Sequence, residues 1–564
     1  MTINMERKNC MKNRKKWLAA LLLLALALPG AGVAEEELAM SDVENMTAPG
    51  VLPIVTEPVT ITIAIESNST VTDYEDNAWT RWLEEQTGID IEIVLLPTEN
   101  PAQKVELMIA ANEELPDIVC VRTISPANLY AYYQDGIILP LDEMREKYAY
   151  YLNQEIETYF PNGEFEKVER LCRTYDGAQI LWPATYNDPS NNYNPGFTLH
   201  LRDDWLEDTG MELPTTTEEL YDVLVAFRDR DPNGNGVADE IPLLGGTRTL
   251  INSFIYYAPF NGMVLNVKDG KIYTPATEEA YREALRYQNR LVSEGLMSTQ
   301  SFTADAAQIR AMLNPEDAQS AVVGAFGDRH PTSDLNDAAT RNAYSPAWPI
   351  TGPEGVCYAI YTPILQDQVT FITKYCDTPE IAVRLLDYFS EEETMIRSRW
   401  GVKDEDWYYV EDATGMTPRY ADLGYGITYD TINNPYASSN NLIWKVDWIT
   451  HLPPALLGAR PIATYDDPDE AGYNQKFLTV LSDKWGKEDD EVVETILYTE
   501  EEELAIAEIK ASLWSYILEC QTRFIMGEMS LDTDWDNYLA TLDSIGLQEY
   551  LEVTQTAYDR MNAG

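Results

Sequence analysis

Basic residues and histidines are scarce in this chain. Its 564 residues include 40 lysines and arginines against 94 aspartates and glutamates, which gives a formal net charge of −54, and 3 histidines. A surface this acidic repels nucleic acid and anionic lipid. The charge therefore speaks against a nucleic-acid-binding protein and, less strongly, against a polyanionic ligand.

Recognisable catalytic motifs are also lacking. None of the 3 histidines lies in an HExxH pattern, and the chain has neither a GxSxG nucleophile elbow nor a GxxxxGK[ST] phosphate loop. A glycosidase needs a pair of carboxylates, and 94 acidic residues leave such a pair open. We predict no catalytic residues, with a secreted glycoside hydrolase as an alternative.

Cysteines are few and scattered. The 6 cysteines include no CxxC pair, so they predict neither a disulfide framework nor a cysteine-based metal cluster. Buried free thiols are expected, although one pair could close.

Long apolar runs are absent after the N-terminal region. Six basic residues between positions 6 and 16 precede the apolar run at residues 17–29, and small residues ending at Ala34 follow. This layout is typical of a secretory signal peptide, whereas a membrane span needs about 20 apolar residues. We predict a signal peptide over residues 1–34 and an exported, extracellular or cell-surface protein; an uncleaved anchor is the alternative. No cysteine stands where a lipid anchor would be attached, so the sequence does not support one.

The first folded region alternates between strand and helix patterns. β-rich apolar runs and helical periodicities follow one another at residues 59–65, 77–87, 89–96, 101–109 and 116–121. Alternation at this pitch predicts a parallel sheet with right-handed crossovers. Ligands of such sheets bind beyond the carboxyl ends of the strands. The candidate ligand-binding residues at those ends are Glu66, Ser67, Asn68 and Arg122.

The sharpest local pattern is an oxygen-rich turn that begins at Asp231. Asn233 and Asn235 stand at its third and fifth places, glycine at the sixth, and further acids follow. This order resembles the start of an EF-hand calcium loop, in which the seventh residue, here Val237, ligates through its carbonyl. The twelfth place is a proline, so Glu240 would close the shell instead. We predict a structural Ca²⁺ site; an ordinary turn rich in Asn and Gly is the alternative.

Aromatic residues are plentiful, with 35 tyrosines and 13 tryptophans. Sugar rings stack their C–H faces on aromatic rings, so aromatics in loops favour a flat-faced, uncharged ligand. Packing in the core is the alternative for each of them. The candidates in predicted loops are Trp182, Tyr186, Tyr193, Trp348, Trp407 and Trp444.

Short segments occur in a characteristic order along about residues 55–560. They are LMIAANEELPDI at 107–118, DGIILPL at 135–141, DGAQILWP at 176–183, LRDDWL at 201–206, the oxygen-rich turn, FIMGE at 524–528 and DWDNY at 534–538. In this order they resemble the family 1 extracellular solute-binding proteins, in the branch of the alginate-oligosaccharide-binding receptors. The resemblance implies an α/β, two-lobed, periplasmic-binding-protein-like fold of type II. Each lobe would be a mainly parallel sheet flanked by helices, with the ligand cleft between the lobes.

The resemblance also implies the boundaries of the domains. After a tether over residues 35–55, whose acidic residues, proline and glycine predict flexibility, residues 56–182 with 360–400 would form the N-terminal lobe. Residues 183–359 with 401–564 would form the C-terminal lobe.

The implied function is that of an extracytoplasmic receptor. It would be a monomer that delivers an oligosaccharide to the permease subunits of an ABC importer. A calcium shell of the alginate-binding relatives matches Asp231, Asn233, Asn235, Val237, Asp239 and Glu240. Nothing marks a basic, alginate-like pocket, so the ligand itself does not carry over, and a peptide-binding receptor of the same fold is the alternative.

Overall fold

The computed structural model describes most of the chain after residue 37. The described residues are 38–122, 124–160, 165–183, 199–257, 263–328, 334–335, 338–347, 349–358, 368–409, 429–432, 435, 439–446, 493 and 496–562. The predicted signal peptide and the candidates Tyr186, Tyr193 and Trp348 lie outside them.

Strands and helices alternate through the first half of the chain, and helices dominate its end. The strands are β1 (Val59–Glu66), β2 (Ile89–Leu96), β3 (Ile118–Arg122), β4 (Leu199–Arg202), β5 (Ile241–Gly245), β6 (Asn266–Lys268), β7 (Lys271–Tyr273), β8 (Val323–Gly327), β9 (Tyr344–Ala347), β10 (Gln368–Ile372), β11 (Trp407–Tyr409) and β12 (Tyr429–Thr431). The α-helices are α1 (Ala78–Thr87), α2 (Pro101–Ala110), α3 (Pro126–Gln134), α4 (Asp142–Tyr148), α5 (Tyr151–Tyr159), α6 (Phe165–Leu171), α7 (Asp203–Thr209), α8 (Thr217–Asp229), α9 (Thr247–Ile251), α10 (Glu279–Ser293), α11 (Gln300–Thr303), α12 (Ala306–Leu313), α13 (Ala338–Asn342), α14 (Pro379–Tyr388), α15 (Glu392–Trp400), α16 (Glu500–Ile525), α17 (Trp535–Ile545) and α18 (Leu547–Asn562).

The first lobe is built on a sheet with the strand order β10-β3-β1-β2. β1 pairs in parallel with β2 and β3, and β10 runs antiparallel to β3. Ile61, Ile63 and Ile65, which share one face of β1, are completely buried, whereas Thr60 and Thr62 of the other face are more exposed. The predicted order β-α-β-α-β is therefore confirmed, and the carboxyl ends of β1, β2 and β3 meet at one edge of the sheet.

The segment before β1 packs against the first lobe. Met46 is completely buried, and the buried guanidinium of Arg384 donates hydrogen bonds of 3.3 Å each to the carbonyl oxygens of Thr47 and Val51. The prediction of a flexible tether over residues 35–55 is therefore wrong for the described part of that segment. An apolar side chain enters the core, and a distant cation binds the backbone.

Residues 439–446, late in the chain, also belong to the first lobe. Trp444 and Val446 lie in its core, and the Trp444 indole N–H donates to the hydroxyl of Thr80 at 2.8 Å. The prediction had assigned all of residues 401–564 to the other lobe, which is wrong for this segment. The burial of Trp444 in the first-lobe core fixes the position of this segment.

The second lobe is built on a sheet with the strand order β5-β8-β4-β9. β5 and β8 are parallel, whereas β4 runs antiparallel to both β8 and β9. Within the described residues this sheet is mixed, which corrects the prediction of a mainly parallel sheet for this lobe, whereas the sheet of the first lobe is mainly parallel. The rings of Trp205 and Phe227 cross edge to face at 5.3 Å, and a Cβ at Gly324 of β8 would lie 2.5 Å from each ring. The absence of a side chain at Gly324 thus lets the helices pack directly on the sheet.

The C-terminal helices complete the second lobe. α16, α17 and α18 pack with α10 and the β6–β7 hairpin around a core that includes Phe524, Trp535 and Tyr538. α16 also touches α3 of the first lobe. The two-lobed α/β fold is confirmed, while the exact lobe boundaries stay a prediction because residues 184–198 and 359–367 are outside the described part.

Two findings bear on the environment of the chain. Within the described residues, no helix combines the length and the apolar character that crossing a membrane requires. Among the described cysteines, four are buried free thiols and one, Cys357, is a partly exposed free thiol.

Candidate functional site

A pocket of about 390 Å³ opens beside the carboxyl ends of β1 and β2; we call it the strand-end pocket. Ser67 and Asn68, both predicted from the sequence, line it together with Asp73 and Thr98. The hydroxyls of Ser67 and Thr98 lie 3.1 Å apart, and the Asn68 backbone N–H donates to the Tyr74 hydroxyl at 2.8 Å. Hydroxyl, amide and carboxylate groups in one concavity can exchange hydrogen bonds with a polyhydroxylated ligand.

The other two strand-end candidates lie at the same edge of the sheet. Glu66 is the last residue of β1, and Arg122 is the last residue of β3. β1 and β3 are neighbours in the sheet, so the structure brings both residues to the edge where Ser67 begins the loop. Neither is among the residues that line the strand-end pocket.

The loop that forms the strand-end pocket is held by a segment far along the chain. Asn441 accepts backbone hydrogen bonds from Thr72 at 3.1 Å and from Asp73 at 2.8 Å. The ammonium of Lys445 donates to the Thr70 hydroxyl at 2.8 Å, and burial lowers its pKa. Sequence reasoning missed Asn441 and Lys445 because no local pattern links them to a loop nearly four hundred residues earlier.

Three of the predicted aromatic candidates are buried. Trp182 is 3% exposed, Trp407 is 0% exposed and Trp444 is 1% exposed. The indole of Trp407 donates to the carbonyl of Gly401 at 3.1 Å, and Trp444 packs in the first-lobe core. These rings therefore do not offer a face to a ligand, and core packing, the alternative stated for them, describes their role.

A larger pocket, of about 620 Å³, lies in the second lobe; we call it the second-lobe pocket. It is lined by the aromatic side chains of Phe254, Tyr273 and Tyr358, and by charged side chains from the β6–β7 hairpin and the approach to α10. None of the residues predicted from the sequence lines it. The available signal was the Asp-Gly pair at residues 269–270, which marks a two-residue hairpin.

The oxygen-rich turn folds as a tight loop between α8 and β5. Asp231 has φ of 47°, and Gly234 and Gly236 have φ of 66° and 76°, so the backbone curls repeatedly through the left-handed region. The Gly236 N–H donates to the carboxylate of Asp231 at 3.1 Å, and the Val237 N–H donates to the side-chain oxygen of Asn235 at 2.6 Å. These contacts turn side-chain oxygens towards the interior of the loop.

Two further acidic residues, Asp239 and Glu240, follow in the same loop. The amide of Asn235 donates to Asp239 at 3.2 Å, and the amide of Asn233 donates to the Ala321 carbonyl at 3.0 Å. One carboxylate oxygen of Glu240, Oε1, is buried and accepts no hydrogen bond. Burial, followed by the nearby charges of Asp231 and Asp239, raises the pKa of Glu240.

The donor set fits a hard divalent cation. Ca²⁺ prefers oxygen ligands from carboxylates, side-chain amides and backbone carbonyls, and an unsatisfied buried carboxylate oxygen is the kind of atom that a cation would satisfy. Among the described residues, no three acidic, histidine or cysteine side chains are close enough to hold a metal by themselves. A site in this loop would therefore also need asparagine oxygens and a backbone carbonyl, and the loop contains both.

Two α/β lobes with ligand-sized pockets are typical of two-lobed solute receptors. A family model described as "Bacterial extracellular solute-binding protein" matches residues 68–396, more than half of the chain. The chain belongs to this family.

The individual relatives include receptors for several oligosaccharides. FusA of Streptococcus pneumoniae, described as a fructooligosaccharide ABC transporter substrate-binding protein, is 24% identical over 504 residues, which cover 85% of this chain and 86% of FusA. The structure of a FusA EF-hand mutant in complex with fructo-nystose is 21% identical, has a TM-score of 0.65 and covers 90% of this chain and 100% of that chain.

Two further solved structures share the fold. An HMO-binding, ABC-transporter-associated solute-binding protein from Bifidobacterium longum infantis is 18% identical, with a TM-score of 0.67 over 90% of this chain and 99% of that chain. The alginate-binding protein AlgQ2, determined without calcium ion, is 19% identical and has a TM-score of 0.57. The match covers 90% of this chain and 99% of that chain. The expected type II architecture is thereby confirmed.

Proposed function

We propose that this protein is the exported receptor of an ABC importer and that its ligand is an oligosaccharide. The observation that carries the proposal is the likeness to FusA along 85% of the chain. The hydroxyl and amide groups of the strand-end pocket and the aromatic rings of the second-lobe pocket support it, because sugars are bound by such groups. The protein would act as a monomer that binds without chemical conversion and hands its ligand to permease subunits.

The two lobes give this receptor a means of signalling its occupancy. A ligand that contacts both lobes favours the closed arrangement by its differential affinity for it, and the permease would recognise that arrangement. Glu66, Ser67, Asn68 and Arg122 are the first-lobe residues that we propose face the ligand. Their support is their common place at the carboxyl edge of the sheet.

We also propose that the loop after α8 binds a structural Ca²⁺. Side-chain oxygens of Asp231, Asn233, Asn235, Asp239 and Glu240 would hold the ion together with the carbonyl of Val237. Bound there, the ion would neutralise the loop carboxylates and fix the turn between α8 and β5. Two relatives support a site of this kind, because FusA has been studied as an EF-hand mutant and AlgQ2 has been determined without calcium ion.

The ligand proposal is tested by isothermal titration of the protein without its signal segment. The panel contains kestose, nystose, lacto-N-tetraose, trigalacturonate and a neutral pentapeptide. We expect at least one neutral oligosaccharide to bind and to be recovered unchanged by chromatography. Binding of the peptide alone would favour the peptide-receptor alternative, and turnover of a bound sugar would favour the glycoside hydrolase.

N-terminal sequencing of the secreted protein tests the predicted signal peptide. We expect residue 35 to be the first residue of the secreted protein.

A further inference from the structure

The second-lobe pocket is lined by residues from four separate stretches of the second lobe. The chain leaves β5 through α9 and then supplies Phe254 and Ile255, which form one wall. The β6–β7 hairpin, the approach to α10 and residues 356–358 form the other walls.

Buried amides hold the first wall of this pocket. The Asn252 side chain donates to the Tyr257 carbonyl at 3.1 Å and accepts from the Tyr257 N–H at 2.8 Å. The Asn266 side chain donates to the Tyr256 carbonyl at 3.1 Å. The Tyr358 N–H donates to the Asn252 carbonyl at 3.1 Å, which ties the opposite wall to the same asparagine. Because the backbone is fixed by these bonds, a ligand would not have to order the walls when it binds.

The hairpin wall is fixed from behind. Gln555 of α18 accepts from the Ile272 N–H at 2.8 Å and donates to the Gly270 carbonyl at 3.0 Å. The turn itself uses Asp269 and Gly270 with φ of 51° and 75°, the left-handed conformations of a two-residue hairpin turn. The backbone of this hairpin is therefore held in place behind the pocket.

The lining side chains match the chemistry of an uncharged sugar. Phe254, Tyr273 and Tyr358 are partly exposed rings, and their faces suit the C–H faces of a sugar. Lys268 and Lys271 bring two positive charges, and Asp269 and Glu278 bring two negative charges. The lining is thus neutral in a chain of net charge −54, and both kinds of charged group can hydrogen-bond hydroxyls. An anionic sugar would meet as many repulsive as attractive charges.

We propose that the second-lobe pocket is a sugar subsite that takes one or two uncharged residues of the oligosaccharide, with Tyr358 as a stacking platform. Its volume of about 620 Å³ lies within the range of small-molecule sites. This inference rests on the proposed function, because it assigns a place and a charge class to the ligand of that function.

The test uses Tyr358, whose ring lies 5.7 Å from that of Tyr256 in an edge-to-face arrangement. Tyr358→Ala removes the platform, and Tyr358→Phe keeps the ring and removes the hydroxyl. Tyr150→Ala, a change at a 40% exposed tyrosine of the first lobe, is the control. Titration with kestose, nystose, lacto-N-tetraose and trigalacturonate gives the dissociation constants, and circular dichroism melting checks that each variant is folded.

We expect Tyr358→Ala to weaken binding of the neutral sugar that the wild type binds by about tenfold, as loss of one aromatic contact predicts. Tyr358→Phe and Tyr150→Ala should stay within about threefold of the wild type, and trigalacturonate should bind more weakly than the neutral sugars. If Tyr358→Ala does not fold, the double variant Lys268→Met with Lys271→Met replaces it, and we expect its affinity for the neutral sugar to fall at least about threefold.

Three outcomes would contradict these expectations. Unchanged affinity in the pocket variants, while the wild type binds a sugar, overturns this inference alone. Tighter binding of trigalacturonate overturns the uncharged class. Failure of the wild type to bind any sugar overturns the proposed function together with this inference.

Discussion

The calcium loop allows a sharp prediction, because its ion would stabilise the folded state by mass action. Adding a chelator should lower the free energy of unfolding, and adding CaCl₂ should restore it. The proposed ligands come from the turn between α8 and β5, and Asn233 also binds the Ala321 carbonyl just before β8. Loss of the ion should therefore loosen the edge of the second sheet more than the first lobe.

The magnitude follows from the ratio of free calcium to the dissociation constant. At a free concentration of a hundred times that constant, a ligand of the native state stabilises it by about 2.7 kcal/mol. A shift of this size moves the melting temperature of a large domain by several degrees. The assay is urea denaturation followed by far-UV circular dichroism, in 1 mM EDTA and in 2 mM CaCl₂, with Mg²⁺ as the comparison ion.

Asp231→Asn is the informative variant, and Asp229→Asn is its matched control. Asparagine tolerates the left-handed conformation that Asp231 adopts, so the change removes a charge without straining the turn. Asp229 lies two residues earlier, on the surface, and pairs with Arg228 at 2.7 Å. We expect Asp231→Asn to lose most of the calcium effect and Asp229→Asn to keep it. Equal unfolding curves of the wild type in EDTA and CaCl₂ would refute the reasoning.

Three further predictions concern stability and the contact between the lobes. Arg384→Met should destabilise the protein by about 1–3 kcal/mol, because it leaves the buried carbonyl of Thr47 without the donor that Arg384 supplies; faster proteolysis before β1 should accompany the shift in urea midpoint, and an unchanged midpoint would contradict this expectation. Burial raises the pKa of Asp387 to about 6, so this carboxyl stabilises the fold most when protonated and loses that contribution as the pH rises through 6. Relative to Asp387→Asn, the wild type should therefore gain about 1 kcal/mol in free energy of unfolding on going from pH 7 to pH 5, measured by urea denaturation at both values; a difference that does not change with pH would contradict the raised pKa. α16 touches α3 of the first lobe; Glu503 of α16 has a pKa that burial raises and that the Ala127 backbone N–H of α3 lowers. Glu503→Gln should weaken this contact by about 0.5–1 kcal/mol and increase the radius of gyration in small-angle scattering, whereas an unchanged radius would argue against it.

Much of the first lobe could be predicted because its information is local. The apolar runs and helix periods of residues 59–121 appear as alternating strands and helices, and Asn77 and Gly88 begin and end α1 as capping residues do. From that order, the common edge of Glu66, Ser67, Asn68 and Arg122 follows by topology alone.

The remaining features depend on contacts between residues far apart in the chain. The segment before β1 has the composition of a linker, yet Arg384 binds its carbonyls. Trp407 and Trp444 are residues of the type that stacks on sugar rings, yet they are buried. An aromatic side chain serves equally well in a core and at a ligand, so only its burial separates the two roles. The second-lobe pocket was missed because its rings come from three separate stretches of sequence.

The strong negative charge of the chain cannot by itself select a neutral ligand. At physiological ionic strength, exposed charges are screened beyond about 8 Å, so the overall charge acts mainly on the approach of an ion and little on a sugar already in a pocket. Discrimination between neutral and acidic sugars must therefore come from groups in contact with the ligand. In the second-lobe pocket, those groups are two lysines and two carboxylates. Replacing both lysines with methionine would leave the carboxylates unbalanced, so it should weaken trigalacturonate binding more than kestose binding. Equal losses for the two sugars would place the origin of the selectivity elsewhere.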